Sequence, residues 1–373
     1  MNLFTRRQAV LGTASAFIGA SALAQPGKPA TPVTIAQIFD TSAAQQDVSK
    51  DFLVGSRAAW QDINARGGIR GRQVQHRNME VDGTRNSVRV AIESIKADAS
   101  CVALCGTAGD IAATRVVETL RSEQLAVAHV APWLQNSSTD VDDRTFPIFA
   151  ARQEQVAHAL KSLSVMSITE LGVVYASEVE FVSMQEDVAR VAAELKLKLQ
   201  TFRSGGDLQR LGSNLGPSTP AVVLFVGGTP ELVQFTQGLD RQARQRYVVA
   251  LADVNLQTMV QMGGARNTPV IATQAVPVVS ASMPIVRMYR DVLGRLFDEP
   301  PTALSLAGFI AARYAYEVLS DIDGLVTRHS ALAAFQRRAT LDVGGYRVAY
   351  DPRRRGGTYV TQSMLTQDGR VIG

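Results

Sequence analysis

The sequence predicts an α/β protein made of two doubly wound, Rossmann-like lobes. Three observations carry this expectation. From residue 33 onward, short apolar runs alternate with amphipathic helical stretches, the pattern of a parallel sheet covered on both faces. The alternation pauses at Phe146-Pro147-Ile148-Phe149 and then restarts. The chain is also 373 residues long, about two to three times the usual domain of roughly 100–200 residues.

Taken in order, Val33 to Phe39 reads as a buried strand, and the polar stretch from Asp40 to Gln46 opens a helix with Phe52, Ala59, Trp60 and Ile63 on one face. Asn64-Ala65-Arg66-Gly67-Gly68 stops it, since glycine just past the last turn accepts the left-handed backbone that ends a helix. Strand 74–81, helix 84–97, strand 101–105, helix 111–123 and strand 126–130 complete the first half. The second half begins with helix 153–166, strand 171–175, helix 184–195 and strand 197–202. Strand 221–226, helix 230–240, strand 247–251, a short helix and strand 270–275 follow. From Pro284 the pattern turns helical, over 285–296, 304–320 and 329–339. A β-rich tail, 346–350 and 358–372, closes the chain, with Asp368-Gly369 as a hairpin turn.

Apolar residues make up 46% and charged residues 19%, a globular composition with enough apolar surface for two cores. The formal charge is +4, and without Arg6 and Arg7 it is +2, from 36 basic against 34 acidic residues. Such a balance excludes the concentrated positive face of a nucleic-acid binder. A polytopic membrane protein is excluded too, because one apolar run approaches membrane length and it stands at the N-terminus, Ala9 to Leu23. Residues 1–24 read as an export signal, with Arg6-Arg7 before the apolar run and Ala22-Leu23-Ala24 at the cleavage point before Gln25. Thr5-Arg6-Arg7-Gln8-Ala9-Val10-Leu11 resembles a twin-arginine signal, and an ordinary secretory signal is the alternative. Pro26, Gly27, Pro29 and Pro32 make residues 25–32 a stiff linker. The protein is therefore expected in the periplasm.

Cys101 and Cys105 fall at the two ends of one strand, about 13 Å apart, too far for the roughly 4.4–6.8 Å that a disulfide spans. They are expected to be buried thiols. His76, His129, His158 and His329 are scattered, without the short spacing of a zinc site. His129 lies in an apolar run and reads as a core histidine. No Gly-x-Ser-x-Gly elbow or phosphate loop is present, so neither an enzyme nor a cofactor is expected.

Asp62-Ile63-Asn64-Ala65-Arg66-Gly67-Gly68-Ile69-Arg70-Gly71-Arg72 is similar to the stretch after the first helix of the branched-chain amino-acid-binding proteins, the periplasmic type I substrate-binding proteins of ABC importers. Further matches keep the family's order: Asp82, Gly106-Thr107-Ala108-Gly109, Ala131-Pro132-Trp133, Phe225-Val226-Gly227-Gly228, and Leu306 to Arg313. The resemblance spans residues 33–373 and implies a clamshell whose lobes are joined by hinge strands. It places lobe 1 at 33–149 and 277–356, and lobe 2 at 150–276 and 357–373. It also implies a ligand in the cleft and a membrane permease as partner. Open α/β sheets bind ligands beyond the carboxyl ends of their strands, and hinge closure is the expected motion.

Within that cleft, Thr107 and the amide of Ala108 are candidates for the ligand's carboxylate, because the start of a helix offers unpaired N–H groups with the dipole behind them. The alternative for Thr107 is plain helix capping. At Ala131-Pro132-Trp133-Leu134-Gln135, Trp133 is an aromatic wall or a packed loop residue. Gln135 replaces a family Thr that holds the ligand's amino and carboxylate groups, a departure from the branched-chain pattern. In the second lobe the resemblance points to Phe181 as an aromatic contact, with Glu180 competing for the place, and to Thr229 as a strand-end contact. Asp253 falls where amino-acid-binding relatives keep a carboxylate for the ligand ammonium; a helix cap is the alternative. Ser42 and Gln45 are further candidates. Arg353-Arg354-Arg355 reads as a solvated hairpin or as a contact for an acidic partner. The expected function is capture of a small carboxylate-bearing ligand for an ABC importer, and the alternative is a sensor of the same fold that reports to a receptor kinase or regulator.

Overall fold

The computed structural model describes residues 31–373 except Ser138, Met166, 265–266, 351–355 and 367–368. The expected signal, residues 25–30 of the linker, the cluster at 353–355 and Asp368 of the expected turn lie outside the described residues. In chain order the first part runs β1 (Val33–Asp40), α1 (Gln46–Ala65), β2 (Val74–Val81), α2 (Arg85–Ala97), β3 (Cys101–Cys105), α3 (Asp110–Ser122), β4 (Ala128–Val130) and β5 (Thr145–Phe146). These strands form one parallel sheet in the order β2-β1-β3-β4-β5. Every residue of β3 is buried, as expected of a strand covered on both faces. Cys101 and Cys105 are both free and buried there.

The second part runs α4 (Arg152–Val165), β6 (Glu170–Tyr175), α5 (Glu178–Glu194), β7 (Lys198–Arg203), α6 (Leu208–Ser213), β8 (Val222–Val226), α7 (Thr229–Leu239), β9 (Tyr247–Ala250), α8 (Leu256–Gln261) and β10 (Val270–Gln274). The chain then adds α9 (Pro284–Leu296), α10 (Ala303–Ser320), α11 (Arg328–Gln336), β11 (Leu341–Val343), β12 (Tyr346–Val348), β13 (Thr361–Leu365) and β14 (Val371–Ile372). The second sheet has the order β14-β13-β10-β9-β8-β6-β7, with β13 and β14 antiparallel at its edge. Gly369, at φ +79°, and the bonds between Thr366 and Arg370 turn the chain between those two strands.

The late helices return to the first sheet and share its core. Helix α10 crosses α1 so closely that a Cβ on Gly308 would stand 1.9 Å from the Phe52 carbonyl oxygen, and one on Gly55 1.7 Å from that of Ser305. Ser56 Oγ closes the crossing by donating to Gly308 O at 3.3 Å. Where the chain passes between lobes, its segments lie side by side: Tyr346 Oη donates to Ile148 O at 3.0 Å, and Thr361 Oγ1 to Val276 O at 2.7 Å.

Two local expectations need correction. Helix α5 begins at Glu178, not near 184, because Ser177 Oγ accepts from the amides of Val179 and Glu180 and starts it early. Helix α6 and strand β11, which pairs with the expected strand β12, are additional, each too short to show a period. The expected hairpin of the tail is present, as the antiparallel strands β13 and β14 on either side of Gly369.

Candidate functional site

The carboxyl ends of the two parallel sheets face one another, and the loops leaving them meet around one arginine. Arg152, the first residue of α4, donates from Nη2 and Nε to Asp253 Oδ2 at 2.7 and 3.2 Å. It donates from Nη1 to Asp110 Oδ2 at 2.9 Å. Asp110 opens α3 in the first lobe, whereas Asp253 follows β9 in the second. The side chains are 12% exposed for Arg152 and 9% for each aspartate. Burial works against the guanidinium's charge, but Asp253 and Asp110 outweigh it and hold Arg152 firmly protonated.

The predicted residues take their places around this triad. Trp133 is buried, donates from Nε1 to Asp253 Oδ1 at 3.1 Å, and packs 5.4 Å from Phe149 and 6.0 Å from Phe52, ring centre to ring centre. Gln135 donates its amide to Asp110 Oδ1 at 2.7 Å, beside that of Asn136 at 2.8 Å. Its carbonyl accepts from the Arg152 amide, and its Oε1 accepts from Gln155 Nε2. Gln155 Oε1 in turn accepts from the Ala252 amide at 2.9 Å, so a chain of amides runs parallel to the ion triad.

Thr107 and Ala108 stand one layer back. Thr107 Oγ1 bonds His129 Nε2 at 2.9 Å, and the Thr107 carbonyl accepts the Trp133 amide. The Ala108 amide donates to Ile38 O. Neither caps α3: its cap residue is Gly109, and Gln45 Oε1 accepts the Asp110 amide at 2.9 Å. Burial pushes His129 down to about 3, so its ring is neutral. Ala131 is buried at φ +47°, a backbone that residues with a Cβ rarely adopt. The Ser42 amide donates to Asp40 Oδ1.

Two predicted residues lie apart from the triad. Phe181 packs edge-on against Tyr175 and under the Arg203 guanidinium. Thr229 Oγ1 accepts the Asn255 amide at 2.9 Å. Asn255, not Asp253, caps α8, which removes the capping alternative for Asp253. Asn255 Nδ2 also reaches across to Asp51 Oδ2 on α1. Sequence reasoning missed Arg152, Asp110 and Gln155. The available signal was a charged residue directly after the apolar run 146–151, at a crossing between lobes.

Beside the triad a groove of about 630 Å³ opens between Ser137 of the first lobe and α5, along Glu178, Val179, Val182 and Ser183. Ser137 Oγ accepts the amide of Gln153, next to Arg152. Among the described residues, no group of three or more His, Cys, Asp or Glu is placed to hold a metal.

Residues 32–367 match the sequence family of periplasmic binding proteins. The chain belongs to that family. A search of the curated proteins finds no match by sequence. Among solved structures, this periplasmic binding protein is similar to an extracellular ligand-binding receptor from Verminephrobacter eiseniae ef01-2, at 19% identity and TM-score 0.83, covering 92% of this chain and 100% of that one. A possible leucine/isoleucine/valine-binding protein from Rhodopirellula baltica SH 1 matches at 16% identity and TM-score 0.80, over 92% and 97% of the two chains. A fatty acid ABC transporter substrate-binding protein from Thermomonospora curvata matches at 13% identity and TM-score 0.78, over 92% and 91%. These likenesses confirm the two-lobed type I periplasmic binding protein fold.

Proposed function

We propose that this periplasmic binding protein captures a small carboxylate-bearing solute, an amino acid or a related acid, between its lobes and delivers it to the permease of an ABC importer. The observation that carries the reading is the half-buried Arg152 between the two sets of strand ends. A guanidinium has five N–H donors, and three of them serve Asp110 and Asp253. The other two have no partner among the described residues and can meet a carboxylate, which a planar guanidinium holds with two parallel bonds. Trp133 and Gln135 form the wall beside it, Asp253 orients the arginine, and the Thr107 carbonyl holds the Trp133 amide from behind, with Ala108 and Ala131 in the same buried core. Phe181 and Thr229 flank the second lobe's side. The family is one of binding proteins, not enzymes, and works outside the cytoplasm; residues 1–24 are read as the cleaved export signal.

The test is a thermal-shift screen of the chain from Gln25 against amino acids, aromatic acids, dicarboxylates and amides. A ligand held at about one hundred times its dissociation constant adds about 2.7 kcal/mol of stability. No shift with any carboxylate refutes the reading. One neighbour in fold is described as a ligand-binding receptor, which favours sensing as the second reading. Uptake of the identified ligand by cells lacking the protein separates the two, since a sensor is dispensable for uptake itself.

A further inference from the structure

Two of the three most exposed large apolar side chains among the described residues stand on one helix: Val179, 69% exposed, and Val182, 64% exposed, in the first turns of α5. Residues three apart share a helix face. That face lines the groove of about 630 Å³ that has Ser137 of the first lobe on its other side, a volume within the roughly 300–1,000 Å³ of small-molecule sites. The two valines belong to none of the apolar cores, so covering them is left to whatever enters the groove.

The groove has two unlike ends. At its inner end Ser137 Oγ accepts the amide of Gln153, the neighbour of Arg152, at 3.0 Å. Arg152 also feels the charge of Glu180, in the first turn of α5, so the start of that helix stands close to the guanidinium. At the outer end, a turn beyond Val182, are Glu186 and Asp187. Glu178 and Asp187 are paired with Arg203 and Arg190, and Glu186 is exposed. Among the described residues that line the groove, none is Lys, Arg or His. The inner end therefore offers the N–H donors of Arg152, the middle is apolar, and the outer end offers carboxylates without a cation.

We infer that this groove is a subsite for the body of the ligand, and that the cleft takes monocarboxylates with an apolar chain laid along Val179 and Val182, head group toward Arg152. This deepens the carboxylate reading above and rests on it. From Val179 to Glu186 the helix rises about 10 Å, the length of an extended chain of about eight carbons. A chain of that length covers both valines and ends at Glu186. A second carboxylate at its far end would be set among acidic side chains with no cation to meet it, a costly placement.

The test is calorimetric titration of the chain from Gln25 with butanoate, hexanoate, octanoate, octanedioate and 8-aminooctanoate. Each is also offered as its 2-amino derivative, so that chain length is read on whichever head group binds. Affinity is expected to rise about two- to fourfold for each added methylene up to octanoate, and octanedioate to bind at least about tenfold more weakly than octanoate. Val182→Asn, a change at an exposed position, is expected to weaken the eight-carbon acid about fivefold more than the four-carbon acid. Affinity that does not rise with length overturns the inference and leaves the carboxylate reading standing, as does octanedioate binding as tightly as octanoate. A length gain that persists undiminished in Val182→Asn places the chain elsewhere and overturns the role of the groove. Tighter binding of 8-aminooctanoate than of octanoate assigns the outer end to a cation and overturns the apolar chain. If neither series binds, the carboxylate reading fails and the inference with it.

Discussion

Asp51 offers a sharp test of how the lobes meet. It lies near the start of α1, where Asn255 Nδ2, at the cap of α8 in the other lobe, donates to its Oδ2. Burial raises its pKa from 3.8 to about 6; Thr302 and Lys50 pull it back, while Glu299 and Asp47 push it further. The folded protein therefore takes up this proton before the unfolded chain does. Stability from this group is greatest below pH 3.8, declines as pH rises, and is fully lost above about pH 6. At 1.36 kcal/mol for each pH unit, the ionised carboxylate costs at most about 3 kcal/mol at pH 7. Asp51→Asn keeps the shape and an acceptor for Asn255 but removes the charge. It should raise the melting temperature at pH 7.5 by about 2–4 °C for each kcal/mol recovered and change it little at pH 4. Circular dichroism melts of both proteins at the two pH values give the answer. An equal difference at both, or a lower melting temperature for the variant at pH 7.5, would refute the reasoning.

Two further predictions concern packing. Trp133→Phe keeps most of the ring contacts with Phe52 and Phe149 but leaves Asp253 Oδ1 without its indole donor; it should cost about 1–3 kcal/mol, and Trp133→Ala about 3–5 kcal/mol, in urea titrations followed by circular dichroism. Gly308→Ala drives a methyl to 1.9 Å from the Phe52 carbonyl oxygen and should destabilise by more than the about 1–3 kcal/mol of ordinary overpacking. Gly294→Ala on α9, where a Cβ meets nothing within 4 Å, should instead stabilise by about 0.5–1 kcal/mol; equal effects at the two positions would contradict the close helix crossing.

The sheets were legible in the sequence because their central strands, such as Cys101–Cys105 and Val222–Val226, are unbroken apolar runs. The first turns of α5 were not, because Val179 and Val182 are 69% and 64% exposed and break the inward period. The local signal was nonetheless present, in Ser177 and Glu180 three residues apart. The site divides in the same way. Trp133, Gln135 and Asp253 could be found because strand ends locate them. Arg152 could not, since its partners lie 42 and 101 residues away and neither pairing leaves a spacing to read. Asp253 drew attention as a free carboxylate, a property that holds only until Arg152 is placed beside it.

The crossing of α1 and α10 bears on how this chain is made. Ser56 and Gly308 are 252 residues apart, so at roughly 5–20 residues per second the ribosome releases the second partner about 13–50 s after the first. Throughout that interval the inner face of α1, with Phe52, Ala59 and Ile63, has no helix to cover it. The strands β6 to β10 and their helices emerge as one uninterrupted stretch and can assemble in the meantime. The lobe that begins the polypeptide thus waits for helices made long after its sheet, and the nascent protein carries an uncovered apolar helix face for most of its synthesis.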